Sequence, residues 1–317
     1  MSFLSPPLNV LLMHSKFAPS EGHLERLRAA AQGTVTVARS EAAAWDGIAD
    51  AHIVIGHRYL RQSLPNASCL QWVQSTGSGV DRLPLDDLKR RGVRLTSNPS
   101  ANRLVARHAV VLAWAMARQI PSARDRQVLG QWDNGFTWPA LPKRAMIFGY
   151  GTIGAEIARI LTGDGIETHV VVRQARNRPD PNVARFYTDS WWDVLPEMDW
   201  VLLALPNTPE TVNLFGEQTL RQMRSGAILV NVGRGNAIDL AALRIVLEAG
   251  HLGGAALDVI DPKPQSADDD LWRMPRLMLT PHVAAHAIEA AEWFEVFMED
   301  QLSRALKGEP LKAEVAL

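Results

Sequence analysis

Residues 144–161 limit most narrowly what this chain can fold into. The apolar run RAMIF enters Gly149-Tyr150-Gly151-Thr152-Ile153-Gly154, and AEIARIL, a good helix former, leaves it. Glycines at these spacings allow a tight turn, let the backbone approach a pyrophosphate, and permit close packing of helix on strand. The helix N-terminus then presents oriented N–H groups to the anion. A glycine-rich turn with no ligand is the alternative. Strand before and helix after, within one βαβ unit, favour a dinucleotide site whose cofactor-binding residues are Gly149, Gly151, Thr152, Ile153 and Gly154.

That unit is embedded in a longer alternation. NVLLMH, TVTVAR, AHIVIGH, QWVQSTG and VRLTSN read as strands, and EGHLERLRAAA and LPLDDLKRRG between them read as helices. Seven further strand-like segments, RAMIFG, THVVV, ARFYT, DWVLLALP, AILVNVG, GAALDV and LMLT, alternate with helical ones. A chain of 317 residues is long enough for about two domains. The expected fold is therefore α/β, with two doubly wound parallel-sheet domains joined by long helices. Residues 1–97 with 286–317 form the first domain, completed by the amphipathic segment AIEAAEWFEVFMEDQLSRALKG, and 98–285 form the second. ANRLVARHAVVLAWAMARQI reads as one long joining helix stopped by Pro121, followed by the loop LGQWDNGFTWPALP.

Charge narrows the range of partners. With 33 basic and 34 acidic residues, neither nucleic acid nor an anionic membrane is expected as a partner. The single cysteine, Cys69, excludes an intramolecular disulfide and reads as a small buried hydrophobe. MSFLSPPLNVLLMH lacks a basic start and a long apolar stretch, and no run reaches the roughly 18 residues of a membrane span, so a cytoplasmic protein is expected. No His/Cys/Glu spacing suggests a metal, and no serine sits in an elbow motif.

Within this near-neutral chain, VVVRQARNR places three arginines after an apolar run. A site for NAD places Asp or Glu at the end of the second strand, about 20 residues beyond the glycines, to bind the ribose 2′-hydroxyl. Here Arg173 stands nineteen residues after Gly154, preceded by Val172. Arg173 suits a 2′-phosphate, Arg176 can share that charge, and Arg178 is the least committed. NADP(H) is the preferred cofactor on this reading, with NAD(H) the alternative if the loop is simply a basic surface.

Taken together, TGSGVD (76–81), LALPNTPET (203–211), ILVNVGRGNAID (228–239), GGAALDV (253–259) and LTPHVAAH (279–286) resemble the D-isomer-specific 2-hydroxyacid dehydrogenase family. Within it, the chain is most similar to the NADP-dependent glyoxylate/hydroxypyruvate reductase type. The resemblance implies a flavodoxin-like substrate domain, a Rossmann cofactor domain, a small 2-keto or 2-hydroxy acid as substrate, and a homodimer, with Trp293 packed either within the chain or toward the partner. Reducing a 2-keto acid needs a proton donor at the carbonyl oxygen and positive charge for the carboxylate. His282, at a strand end after Pro281, suits the first role because its pKa lies near working pH. The planar fork of Arg234, between two glycines, suits the second.

The resemblance also implies that the backbone N–H groups of Gly77, Ser78, Gly79 and Val80 hold the substrate carboxylate. By resemblance alone, Leu205, Pro206, Thr211 and Val232 line the cofactor, and Asp258 faces the nicotinamide carboxamide. Two residues depart from the family pattern. Lys263 stands where the family carries its catalytic glutamate, in Asp258-Val259-Ile260-Asp261-Pro262-Lys263-Pro264, and Arg107 stands where VAEH is usual. Either these cations enlarge the positive field and favour a more anionic substrate, or they are independent surface changes. Lys263 also leaves open a nucleotide-binding protein of the same fold with little turnover.

Overall fold

The computed structural model describes residues 3–13, 18–132, 141–176 and 178–317. The chain forms two compact units, Met1–Ala101 with His286–Leu317, and Asn102–Ala285.

The first unit is a five-stranded parallel sheet of β1 (Val10–Met13), β2 (Val35–Ala38), β3 (Ile53–Ile55), β4 (Trp72–Gln74) and β5 (Arg94–Thr96), in the order β2-β1-β3-β4-β5. All four β1 side chains are buried, as expected for a strand covered on both faces. Alternation divides them: Leu11 and Met13 join Ile48, Val54 and Leu88 on one face, and Val10 and Leu12 join Leu27, Trp72 and Leu302 on the other. Helix α1 (Glu21–Ala31) starts where Ser20 Oγ accepts the His23 N–H at 3.1 Å, and α2 (Glu41–Ile48) starts on Ser40 in the same way. Met298, Leu302 and Ala305 of the C-terminal helix Ala290–Lys307 belong to the second cluster, so this core draws on both ends of the chain. Two short helices, α3 (Leu60–Ser63) and α4 (Leu85–Arg90), follow β3 and precede β5.

The second unit opens with α5 (Asn102–Ala117). The expected single helix stops short of Pro121, because Gln119 takes a left-handed conformation and Pro121 sits in the first turn of a separate helix, α6 (Ile120–Val128). Proline fits there because its missing N–H has no partner in a first turn. Residues 133–140 of the expected Trp- and Pro-containing loop lie outside the described residues.

Then follow β6 (Arg144–Phe148), α7 (Thr152–Gly163), β7 (Glu167–Val171), β8 (Arg185–Tyr187), α8 (Trp191–Val194), β9 (Trp200–Leu203), α9 (Glu217–Gln222), β10 (Ile228–Asn231), α10 (Leu240–Glu248), β11 (Gly254–Leu257) and β12 (Leu277–Leu279). The sheet is wholly parallel, ordered β12-β11-β10-β9-β6-β7-β8. From β6 the chain winds out to β8, then returns to β9 on the other side. The strand order therefore reverses between β6 and β9, the crevice where open sheets of this kind bind ligands at their carboxyl ends. Ala145 and Ile147 face a cluster with Ala109, Ala113, Ile157 and Leu161, while Met146 and Phe148 face Phe215, Leu243 and Val246. Cys69 differs from expectation. It is exposed in the loop before β4, with Ser68 Oγ 3.5 Å from its sulfur.

Candidate active site

The glycine loop lies at the carboxyl end of β6. Gly149 has φ +96°, a conformation open to glycine and costly for other residues, and a Cβ there would stand 2.7 Å from the Ala204 carbonyl oxygen. At Gly154 a Cβ would lie 1.9 Å from the Gly149 carbonyl oxygen, so only hydrogen allows α7 to start this close to the strand. A Cβ at Gly151 would meet nothing within 4 Å. Gly151 is also the N-cap of α7 and supplies no capping side chain. Thr152 Oγ1 instead meets the Asn102 amide. The first-turn N–H groups thus face an open cradle, which fits a pyrophosphate.

At the end of β7 the chain leaves the sheet through Val172 into Arg173, Arg176 and Arg178, all exposed. Arg176 folds back over the glycine loop: its guanidinium carbon lies 4.7 Å from the Tyr150 ring centroid, and its Nη2 donates to the Tyr150 carbonyl at 3.3 Å. Tyr150 in turn donates to Asp180 Oδ2 at 2.7 Å. Burial and that bond push the Tyr150 phenol up. The Arg173 charge reaches Glu210, whose carboxyl is held low mainly by the Thr208 hydroxyl and its own backbone. Thr211 folds the 206–211 turn, donating to the Pro206 carbonyl at 2.8 Å and accepting the Thr208 N–H at 2.9 Å. Leu205 is half-buried against the second cluster and Pro206 is exposed.

Arg234 follows β10. Its turn is pinned by Asn231, which is fully buried: Asn231 Oδ1 accepts the Gly233 N–H at 2.9 Å, and Nδ2 donates to the Arg234 carbonyl at 2.8 Å. A Cβ at Gly235 would lie 2.3 Å from the carbonyl carbon of Ile260, so this turn packs directly on the segment leading to Lys263. Arg234 is half-buried, with Nη1 donating to the Gly233 carbonyl at 2.8 Å, whereas the Val232 side chain is in the core. Lys263 is exposed. Arg107 is exposed on α5, and its charge, with that of Arg103, helps Arg159 hold the Glu156 carboxyl below its usual range.

His282 is exposed and has φ +56°, a strained value for a side chain of its type. Asp258, only 2% exposed, holds the turn around it. Its carboxylate accepts the Val283 N–H at 2.9 Å, the Ala284 N–H at 3.1 Å and the Thr280 hydroxyl at 2.6 Å. Because that single O–H is committed to Asp258, the contact from His108 Nε2 to Thr280 Oγ1, 3.1 Å, requires His108 to be the donor. His108 Nε2 also lies 3.5 Å from Asp258 Oδ1. Burial opposes ionisation of Asp258, but His108, Thr280 and the two backbone donors outweigh it and lower its pKa from 3.8 to about 2.

A depressed carboxylate stabilises the fold above its unfolded pKa and loses that contribution as pH falls through the folded one. Asp258→Asn should therefore cost about 2 kcal/mol at neutral pH. The difference in melting temperature between the two proteins should shrink as pH falls from about 4 toward 2. An unchanged gap across that range would contradict the assignment.

In the first unit, the loop after β4 folds on Ser75. Its Oγ accepts the Gly77 N–H at 3.1 Å and lies 3.4 Å from His57 Nδ1, while Ser78 and Gly79 are exposed. The Gly77 donor is thus turned inward, Ser78 and Gly79 form the exposed part of the turn, and Val80 is half-buried against the Leu11 and Met13 cluster. Burial pushes the His57 imidazole pKa down. Sequence reasoning missed His57, His108, Asn231 and Thr280, although each lies inside a segment singled out for other residues.

A family model, the NAD-binding domain of D-isomer specific 2-hydroxyacid dehydrogenases, matches residues 110–284, more than half of the chain. The chain belongs to this family. This dehydrogenase, like its relatives, is an oxidoreductase built to act on 2-hydroxy acids. It is 29% identical over 266 residues to a protein named glyoxylate reductase from Pyrococcus furiosus, covering 81% of this chain and 79% of the relative. It is 31% identical over 262 residues to a D-3-phosphoglycerate dehydrogenase from Archaeoglobus fulgidus, covering 79% of this chain and only 48% of that longer relative. Among solved structures it is similar to a D-isomer specific 2-hydroxyacid dehydrogenase from Xanthobacter autotrophicus in complex with NADPH and MES. That match has TM-score 0.82 and 26% identity and covers 98% of each chain. Among the described residues of this dehydrogenase, no helix is long and apolar enough to cross a membrane.

Proposed function

We propose that this dehydrogenase catalyses NADPH-dependent reduction of a small 2-keto acid, of the glyoxylate or hydroxypyruvate kind, to the D-2-hydroxy acid. The observation that carries the cofactor half is the exit from β7: Val172 followed by Arg173 and Arg176, where a ribose-binding carboxylate would repel a 2′-phosphate. The relatives named glyoxylate reductase support the substrate half.

Bound NADPH supplies the hydride. The His282 ring N–H gives its proton to the carbonyl oxygen as charge develops there. Arg234 holds the substrate carboxylate and polarises the keto oxygen, and the Ser78–Val80 turn of the first unit has backbone N–H groups of a kind that suits a carboxylate. Asp258 holds the turn that carries His282 in its left-handed conformation, and Asn231 holds the turn that carries Arg234. The protein acts as a cytoplasmic homodimer on this reading, with Val111, Ile120, Val128 and Leu129 among its exposed apolar side chains.

Replacing both Arg173 and Arg176 by alanine should weaken NADPH binding about tenfold or more and leave NADH within about twofold. Equal losses for the two cofactors, read by fluorescence titration, would remove the 2′-phosphate assignment. Exposed Lys263 favours a second reading, a nucleotide-binding protein of this fold with little turnover, because no carboxylate at that position orients His282.

A further inference from the structure

The second residue of the glycine loop, Tyr150, has a polar and aromatic environment that a phosphate-binding turn does not need. Its backbone belongs to the turn, yet its ring points toward the arginine segment. The ring packs edge-on against Phe186, with centroids 5.1 Å apart and planes at 80°. Its hydroxyl is fixed on Asp180, whose carboxylate also accepts the Asn182 backbone N–H at 2.9 Å. The outer face of the ring carries the Arg176 guanidinium, which reaches back to the Tyr150 carbonyl.

We propose that Tyr150 is a specificity-determining residue for the 2′-phosphate of the cofactor, acting by holding Arg176 stacked over the glycine loop. This inference rests on the NADPH reading above. The guanidinium lies over the Tyr150 ring, with the Phe186 centroid 5.8 Å away, and donates one hydrogen bond to the Tyr150 carbonyl, which leaves further N–H donors of the fork for a phosphate. An arginine on an exposed, flexible loop loses side-chain freedom when it grips a phosphate. One already held on a ring loses less, and the saving appears as affinity. Asp180 keeps the ring in place and sets a negative charge near Arg176, so the guanidinium has a counter-charge whether or not a phosphate is bound. Tyr150 is thus a positioning residue. Its effect should appear only with ligands that carry the 2′-phosphate.

The test uses the full chain and three probes, NADPH, NADH and 2′,5′-ADP, titrated calorimetrically against wild type, Tyr150→Leu, Tyr150→Phe, Arg176→Ala and Tyr150→Leu/Arg176→Ala. Tyr150→Leu should weaken NADPH and 2′,5′-ADP about three- to tenfold and NADH less than twofold. Tyr150→Phe, which keeps the ring, should lose about twofold or less, and melting curves confirm that each variant folds. Once Arg176 is alanine, Tyr150→Leu should add nothing further. Equal weakening of NADPH and NADH, unchanged binding of all three probes, or additive losses in the double variant would overturn the proposal. Wild type that binds NADPH and NADH equally and ignores 2′,5′-ADP would instead overturn the NADPH reading, and this inference with it.

Discussion

Replacing His282 by asparagine is expected to lower the rate of keto-acid reduction about 10²- to 10⁴-fold, with NADPH affinity kept within about twofold. Asparagine is the informative substitution because it tolerates the left-handed backbone that His282 adopts at φ +56°, so the turn held by Asp258 should survive. What is lost is the ring proton. Steady-state rates with saturating NADPH, beside a direct titration of the cofactor, separate the two effects. A variant that keeps more than about a tenth of the wild-type rate would show that the proton comes from elsewhere.

The second large effect is expected at the glycine loop, where two substitutions of the same size should behave differently. Gly154→Ala forces a methyl to within 1.9 Å of the Gly149 carbonyl oxygen, so α7 or β6 must shift. A loss of about 1–3 kcal/mol and a lower melting temperature should follow, together with loss of dinucleotide binding by more than about tenfold. Gly151→Ala meets no protein atom within 4 Å, so the melting temperature should stay the same. The new methyl would occupy the cradle, and cofactor affinity should still fall. If Gly151→Ala bound NADPH as wild type does, the pyrophosphate would not lie over this turn.

The strands were legible because both sheets are parallel and covered on two faces, so that core strands read as short continuous apolar runs, such as VLLM at 10–13 or WVLL at 200–203. The tight turns at Gly149–Gly154 and Gly233–Gly235 were legible because their geometry is local: the spacing of glycines in one segment already dictates the turn. The supports of the site were not. His108 and Thr280 are 172 positions apart, and their hydrogen bond exists only once α5 has packed in the second unit. Asn231 and Tyr150 sat inside motifs that were read for their glycines and arginines, which left their side chains without an assigned part. Pro121 misled because a proline that ends one helix can equally begin the next, and here a left-handed Gln119 makes the break. Cys69 misled because its residue type is usually buried, whereas the loop before β4 leaves it at the surface.

The account is tested most directly by following NADPH and NADH oxidation separately, with the purified protein and glyoxylate, hydroxypyruvate and phenylpyruvate as substrates, across about pH 5 to 8, where a histidine acid titrates. It predicts turnover of glyoxylate or hydroxypyruvate with NADPH at well above the rate with NADH. Tight NADPH binding with no turnover of any keto acid would contradict it, and would assign the exposed Lys263 the decisive part in a protein that binds the nucleotide without using it.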